Sequence, residues 1–384
     1  MRRLIGITSQ ENVFREQERI SAMIRSGKVE YFHIRKPDFT EIQMRDYLSH
    51  FDADVRKHLS LHDHHRLAVE MNIGGVHLNG RNPNPPENFG GRVSRSCHSI
   101  EEVLQCKDKV DYCFLSPVFD SISKQGYCSK FSLAELKHLF DEKALDEKVC
   151  ALSGVTFDNI SELEEVGFSS FVMLSALWEL PRTMFISHRN ARFDYVSGCK
   201  EALRGGIRFV QLRMKDASDE EVVATAKVLR EECDKYAALL TVDDRVNLLE
   251  TGLFDGVHIG KNDMPVCEAK KITGSKFLLG ATCNTEEDVF HAIADGADYI
   301  GMGPFRFTTT KKNLSAILGL QGYTKVMQEM QSRGAKTPIY AIGGIAVDDL
   351  SDLKATGVYG IAISSVILDS ENPNNTIEQI LKTF

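Results

Sequence analysis

The amino-acid sequence predicts an α/β protein built as two tandem (β/α)8 barrels. Three observations predict it. The chain repeats itself once, short apolar runs alternate with longer amphipathic stretches, and the second copy holds eight such runs in about 200 residues, the size of a small barrel. A doubly wound open sheet is the alternative arrangement of the same alternating elements.

The repeat is read directly. Gly75-Val76-His77-Leu78 returns as Gly256-Val257-His258-Ile259. Asp111-Tyr112 followed by Ser116-Pro117 returns as Asp298-Tyr299 followed by Gly303-Pro304, and Ala151-Leu152-Ser153-Gly154-Val155 returns as Ala341-Ile342-Gly343-Gly344-Ile345. The order never changes, and the spacing between copies widens along the chain, so the second copy carries small insertions. The seam falls near Leu180-Pro181-Arg182, which gives domains 1–181 and 182–384.

In the second copy the expected strands, in order, are Met184–Ile186, Phe209–Leu212, Leu239–Val242, Gly256–Ile259, Phe277–Gly280, Tyr299–Met302, Ile339–Ile342 and Gly360–Ile363. Asp219–Tyr236, Glu286–Asp295 and Gly322–Arg333 carry apolar residues near helical spacing between them. Composition agrees with a folded chain of this kind: of 384 residues, 42% are hydrophobic and 26% charged, enough for two cores. The formal net charge of -8 argues against general affinity for nucleic acid. Small phosphorylated ligands fit a local basic pocket instead. The nine cysteines are scattered without a C-x-x-C pair, as in a reducing compartment. No apolar run reaches the length of a membrane span, and the run after Arg2-Arg3 is too short for a signal peptide. A cytoplasmic location without membrane partners is expected, and assembly into homo-oligomers is left open.

In a barrel, residues just after each strand converge on one mouth. After the second strand, alternation puts Gln211, Arg213 and Lys215 on one side of an extended segment. Two cations and an amide suit a multiply charged phosphate, or else a salt-bridged rim. Asp243-Asp244 follows the third strand and Asp263 the loop after the fourth; two carboxylates from neighbouring strand ends can hold one Mg2+. The sixth strand is followed by a donor-rich loop with Thr308, Thr310 and Lys311. The seventh ends on Gly343-Gly344, where backbone N–H groups can approach a ligand, and the eighth on Ser364-Ser365 at the start of a helix. The loops after strands seven and eight are the habitual phosphate site of such barrels.

Together these residues resemble thiamine phosphate synthase, over about 183 to 384. The resemblance implies a magnesium-dependent transferase. It joins 4-amino-2-methyl-5-hydroxymethylpyrimidine diphosphate to 4-methyl-5-(2-phosphoethyl)thiazole by dissociative substitution, releasing pyrophosphate. By it, Gln211, Arg213 and Lys215 contact the pyrimidine diphosphate, Asp244 and Asp263 hold Mg2+, and Thr282 and Lys311 bind phosphate. Arg213, Lys215 and Lys311 are the catalytic cations, while Thr308, Thr310, Gly344, Ser364 and Ser365 hold the thiazole phosphate. Three positions depart from the family: Asp243 replaces asparagine, Lys261 glutamine and Asn284 histidine. Asp243, still counted among the substrate contacts, repels a diphosphate, which Lys261 would offset.

The first copy resembles a divergent synthase or the thiazole tautomerase branch of the same superfamily. Its motif is His33-Ile34-Arg35-Lys36-Pro37, Asp63 remains, and Asn82 replaces the second carboxylate. Ser96, Lys124, Gly154 and Ser175 match Thr282, Lys311, Gly344 and Ser365, so its thiazole-phosphate half is the better kept. The tautomerase histidine, however, would fall at Pro117. The run His62-Asp63-His64-His65 reads as loop histidines, because adjacent residues seldom point at one ion. A non-catalytic binder or regulator of thiamine precursors and a phosphate-handling epimerase or aldolase are the competing readings.

Overall fold

The computed structural model describes residues 2–9, 13, 15–120, 129, 131–157, 159–307 and 316–384. The chain divides into two compact units, Met1–Glu179 and Leu180–Phe384. Each is a closed barrel of eight parallel strands. The first is built from β1 (Arg3–Ile7), β2 (Tyr31–Ile34), β3 (Leu59–Leu61), β4 (Gly75–Leu78), β5 (Arg92–Cys97), β6 (Tyr112–Leu115), β7 (Val149–Leu152) and β8 (Ser170–Met173). The second is built from β9 (Thr183–Ile186), β10 (Phe209–Leu212), β11 (Leu239–Asp243), β12 (Gly256–Ile259), β13 (Leu278–Cys283), β14 (Tyr299–Met302), β15 (Ile339–Ile342) and β16 (Gly360–Ile363). Pairing of β1 with β8, and of β9 with β16, closes them. The open sheet is therefore excluded.

Period-two alternation sorts the side chains. On β10, Val210 and Leu212 join the layer between strands and helices. Phe209 faces inward, where it meets Tyr299 and Tyr340 edge to face at 5.5 and 6.0 Å between ring centres. Gln211, one step further along the same inner face, is left just beneath the mouth. Gly280 is required here, because a Cβ at that position would run into Tyr299 and His258. The expected fifth strand is corrected at both ends: β13 starts at Leu278 and runs on through Cys283, which places Thr282 within it. The expected Gly322–Arg333 helix spans Gly319–Ser332. Among the described residues, no helix is long and apolar enough to cross a membrane.

One buried ion pair ties a helix of the second barrel to its strands. Arg230, on the helix Asp219–Lys235, donates to Asp255 Oδ2 at 2.7 Å and to the Ala238 carbonyl at 3.0 Å. Asp255 also accepts the Leu240 N–H at 2.8 Å. Stripping one partner from a buried pair costs about 3–5 kcal/mol, because the other charge is left uncompensated. Arg230→Met is expected to lose that much in urea denaturation at pH 7. A loss below about 1 kcal/mol would show that Asp255 finds a substitute.

Candidate active site

The strand ends of the second barrel bring the expected residues of β10 to β12 together. Lys215 reaches Asp243 Oδ2 at 3.2 Å and pairs closely with Asp244, while Arg213 Nε lies 3.4 Å from Asp243 Oδ2. The cations and the carboxylates that sequence reading had assigned to separate tasks neutralise each other across the mouth. Asp244 stands at φ 64°, an uncommon backbone state for a residue with a Cβ and one that collects at functional sites. Its Oδ1 accepts the Gly260 N–H at 3.3 Å. Asp263, on the turn after β12, shares a hydrogen bond with Asp244. Glycine at 260 keeps this space open, since a Cβ there would collide with the Asp263 carboxylate.

Burial and the neighbouring Asp244 push the Asp243 carboxyl up to about 6. Burial and the shared hydrogen bond likewise raise Asp263. Asp244 goes the other way: burial opposes its charge, but hydrogen bonds from Asp263 and Lys215 hold it below the ordinary carboxylate range. A divalent cation between the two carboxylates would oppose that rise at Asp263 by favouring its charged form. An all-oxygen pair of this kind suits a hard divalent cation, and the Lys215 ammonium occupies the place of the counter-charge. The residues fit Mg2+.

Two polar atoms here lack partners among the described residues. Gln211 Nε2 is buried with no acceptor, and Ser364 Oγ is buried with neither donor nor acceptor. An orphaned buried group costs about 1–3 kcal/mol, which a ligand can restore. Gly343 and Gly344 are both left-handed, at φ 97° and 69°, and a Cβ on Gly344 would strike Arg306 and the Phe307 carbonyl. Ser365 opens a helix of only four residues, Ser365–Leu368. Thr282 Oγ1 is 2.9 Å from His258 Nε2. Thr308, Thr310 and Lys311, like Lys124 in the first copy, lie outside the described residues. Lys261 does not offset Asp243; its ammonium is held by both oxygens of Asp288 at 2.8 Å.

The first barrel builds a different mouth. A cavity of about 520 Å³ is lined by Arg35, His62, Arg81, Ser96, Gly154 and Ser175, among others. Arg81 forks onto Asp63 with two hydrogen bonds of 3.0 Å, and Asn82 Nδ2 donates to the same carboxylate at 3.1 Å. A guanidinium thus pairs with the first copy's counterpart of Asp244, where the second copy uses the Lys215 ammonium. Ser153 takes φ 82° where the other copy has Gly343, and its Oγ is also buried without a partner among the described residues. Lys36 turns away from the mouth into a buried pair with Glu16 at 2.9 Å.

The expectation of loop histidines is corrected for His62 and His65, which are both buried; His62 is the one that joins a cluster. It meets His33 and His77, from two other strands. His64 does face elsewhere, to the Phe39 carbonyl at 2.7 Å. Sequence reading missed the trio and Arg81. The available signal was that His33, His62 and His77 occupy the register positions of Gln211, Asp243 and His258.

The thiamine monophosphate synthase family model matches this chain twice, over residues 4–177 and 183–367. The chain belongs to the thiamine monophosphate synthase family. Among its relatives, the thiamine-phosphate synthase of Bacteroides fragilis is 48% identical over 197 residues, 51% of this chain and 97% of that protein. That of Flavobacterium psychrophilum is 40% identical over 201 residues, 52% of this chain and 98% of that protein. The solved thiamine phosphate pyrophosphorylase from Pyrococcus furiosus is 33% identical, with a TM-score of 0.47, covering 53% of this chain and 94% of that one. The relatives bearing these names are transferases, and each has the length of one barrel.

Asp243 yields a pH prediction. Its folded value, near 6, lies above the roughly 4 of an unfolded aspartate, so native stability falls as pH rises between the two. With a chelator present, the stability gained by Asp243→Asn relative to the parent is expected to grow by roughly 2–3 kcal/mol from pH 4 to pH 7. A difference that stays flat across that range, measured by denaturant titration, would show that Asp243 titrates normally.

Proposed function

We propose that the second barrel, residues 182–384, makes thiamine phosphate. The substrates are 4-amino-2-methyl-5-hydroxymethylpyrimidine diphosphate and 4-methyl-5-(2-phosphoethyl)thiazole, and pyrophosphate leaves. The observation that carries the reading is the Lys215–Asp243–Asp244–Asp263 cluster with Arg213 beside it. It holds the charges that a diphosphate and a divalent cation would exchange for one another. The names and identity levels of the relatives support it.

Asp244 and Asp263 would hold Mg2+, whose charge, when bound, stabilises the departing pyrophosphate. Arg213 and Lys215 add fixed cations on the same leaving group, where charge grows as the C–O bond breaks. The orphaned Gln211 amide offers its N–H to an acceptor on the pyrimidine, and Asp243 beside it contacts the same substrate. Across the mouth, Gly344, Ser364 and Ser365 cradle the thiazole phosphate, with Thr282 as a further phosphate contact. Thr308, Thr310 and Lys311 are assigned the donor-rich loop that completes both subsites. Held there, the thiazole nitrogen attacks the methylene carbon with its lone pair, and no protein base is needed.

The first barrel is proposed to lack this activity and to bind the thiazole phosphate alone. Arg81 already neutralises Asp63, which leaves that carboxylate unavailable to a metal. Gly154, Ser175 and Ser96 remain for a monophosphate.

In the full chain, Asp244→Ala and Asp263→Ala are each expected to cut magnesium-dependent thiamine phosphate formation by about 100-fold or more, roughly 3 kcal/mol in the barrier. Chromatographic product assay reads it. Near-normal turnover in either variant would mean that the metal position is wrong or that the first barrel is active. Ser365→Asp is expected to weaken the thiazole phosphate more than the pyrimidine diphosphate in calorimetry, by placing a negative charge in the cradle. Equal weakening would show that the two subsites are wrongly drawn.

A further inference from the structure

The first barrel buries three histidines that the proposed synthesis does not use. His33 Nδ1 lies 3.0 Å from His62 Nε2, and His33 Nε2 lies 2.9 Å from the Tyr112 hydroxyl. His77 is hydrogen-bonded to Ser94 at 2.9 Å and to Ser96 at 2.8 Å. The trio could suggest a transition metal, but its geometry opposes one. The His62 and His77 rings stack at 4.1 Å and 20°, which sends their in-plane lone pairs along parallel planes. Both nitrogens of His77 are already held by hydroxyls. The arrangement is a hydrogen-bonded chain.

That chain reaches the cavity. His62 lines it, while His33 and Tyr112 lie behind His62 in the barrel interior. Among the described residues Nδ1 of His62 has no hydrogen-bond partner, which leaves it for a ligand. Burial first, then the neighbouring His77 and His33, holds His62 well below the usual imidazole range, so its resting form is neutral and any positive charge it takes up is short-lived. Arg35, Arg81 and Arg95 line the same space, which suits a ligand that becomes more negative.

We propose that His62 is an acid–base group of the first barrel, exchanging a proton with a small phosphorylated heterocycle held in this cavity without a metal ion. As the C–H or N–H bond of the ligand breaks, its electron pair stays on the ligand and the proton goes to His62 Nδ1. The Nε2 proton of His62 then passes to His33 Nδ1, whose own Nε2–H is held by the Tyr112 oxygen. One positive charge is shared by two rings, and the reverse movement returns the proton to the ligand. His33 acts through His62 and is a positioning residue. The tautomerase route through a histidine at position 117 is closed by Pro117, and this pair reaches the cavity from a different side of the barrel.

The proposal rests on the reading that this cavity takes the thiazole phosphate, and the test separates the two. The full chain is placed in D2O with a chelator and 4-methyl-5-(2-phosphoethyl)thiazole, and no pyrimidine diphosphate is added. NMR follows deuterium entering ring carbon C2, between nitrogen and sulfur, and calorimetry counts bound equivalents. Two equivalents per chain are expected, with exchange at least tenfold above buffer. His62→Gln should return exchange to background. His33→Gln, which installs the residue of the other barrel at that register position, should slow it about tenfold and move its pH profile. Thiamine phosphate synthesis should be unchanged in both variants and reports that they are folded. Exchange no faster than in His62→Gln, with two equivalents bound, overturns the proposal and leaves the cavity reading intact. Binding of a single equivalent that Ser365→Asp abolishes overturns the cavity reading and the proposal with it.

Discussion

A carboxylate half-sunk at the end of a barrel strand must be matched by positive charge, and much of each mouth follows from how that charge is supplied. Asp244 is matched by the ammonium of Lys215, on a long stem and two-fifths exposed. Asp63 is matched by a planar fork, Arg81, through two parallel hydrogen bonds, with Asn82 reinforcing it. An ammonium can swing off its partner when a better cation arrives, whereas a bidentate guanidinium resists displacement. The backbone differs with it: the left-handed residue is Asp244 itself in one copy and His64, one step beyond Asp63, in the other.

The same contrast continues inside the barrels. The register position occupied by Gly280 in β13 is Ser94 in β5, and the two histidines that pair with them, His258 and His77, meet different surroundings as a result. Gly280 makes room for Tyr299 against His258, whereas Ser94 holds one nitrogen of His77. A glycine leaves space for rings, and a serine binds a ring in place. Small changes at inward positions thus redistribute polarity within a conserved frame.

Much of the fold was legible because buried strands are short apolar runs and the repeat aligned them twice. The ends of β13 were not, since Thr282 and Cys283 extend the strand by pairing with Gly301 and Met302 rather than by their own hydrophobicity. The cluster of Gln211, Arg213, Lys215, Asp243, Asp244 and Asp263 could be expected from alternation on one strand and the order of neighbouring strand ends. Lys261 could not: its partner Asp288 lies across a helix start, and nothing in the local sequence chooses that acid over Asp243. The histidine trio was equally hidden. His33, His62 and His77 come from separate strands or strand ends, and only the barrel register sets them side by side.

The packed rings of Phe209, Tyr299 and Tyr340 close the second barrel from below. With that end filled by side chains, a ligand would enter from the strand-end mouth. Traffic through such a vestibule is sequential: whatever entered deepest leaves last, and the groups nearest the rim govern how soon the next visitor can be seated. In the proposed reading those rim groups are Lys215 and Asp263, which would then both bind the ligand and time its departure.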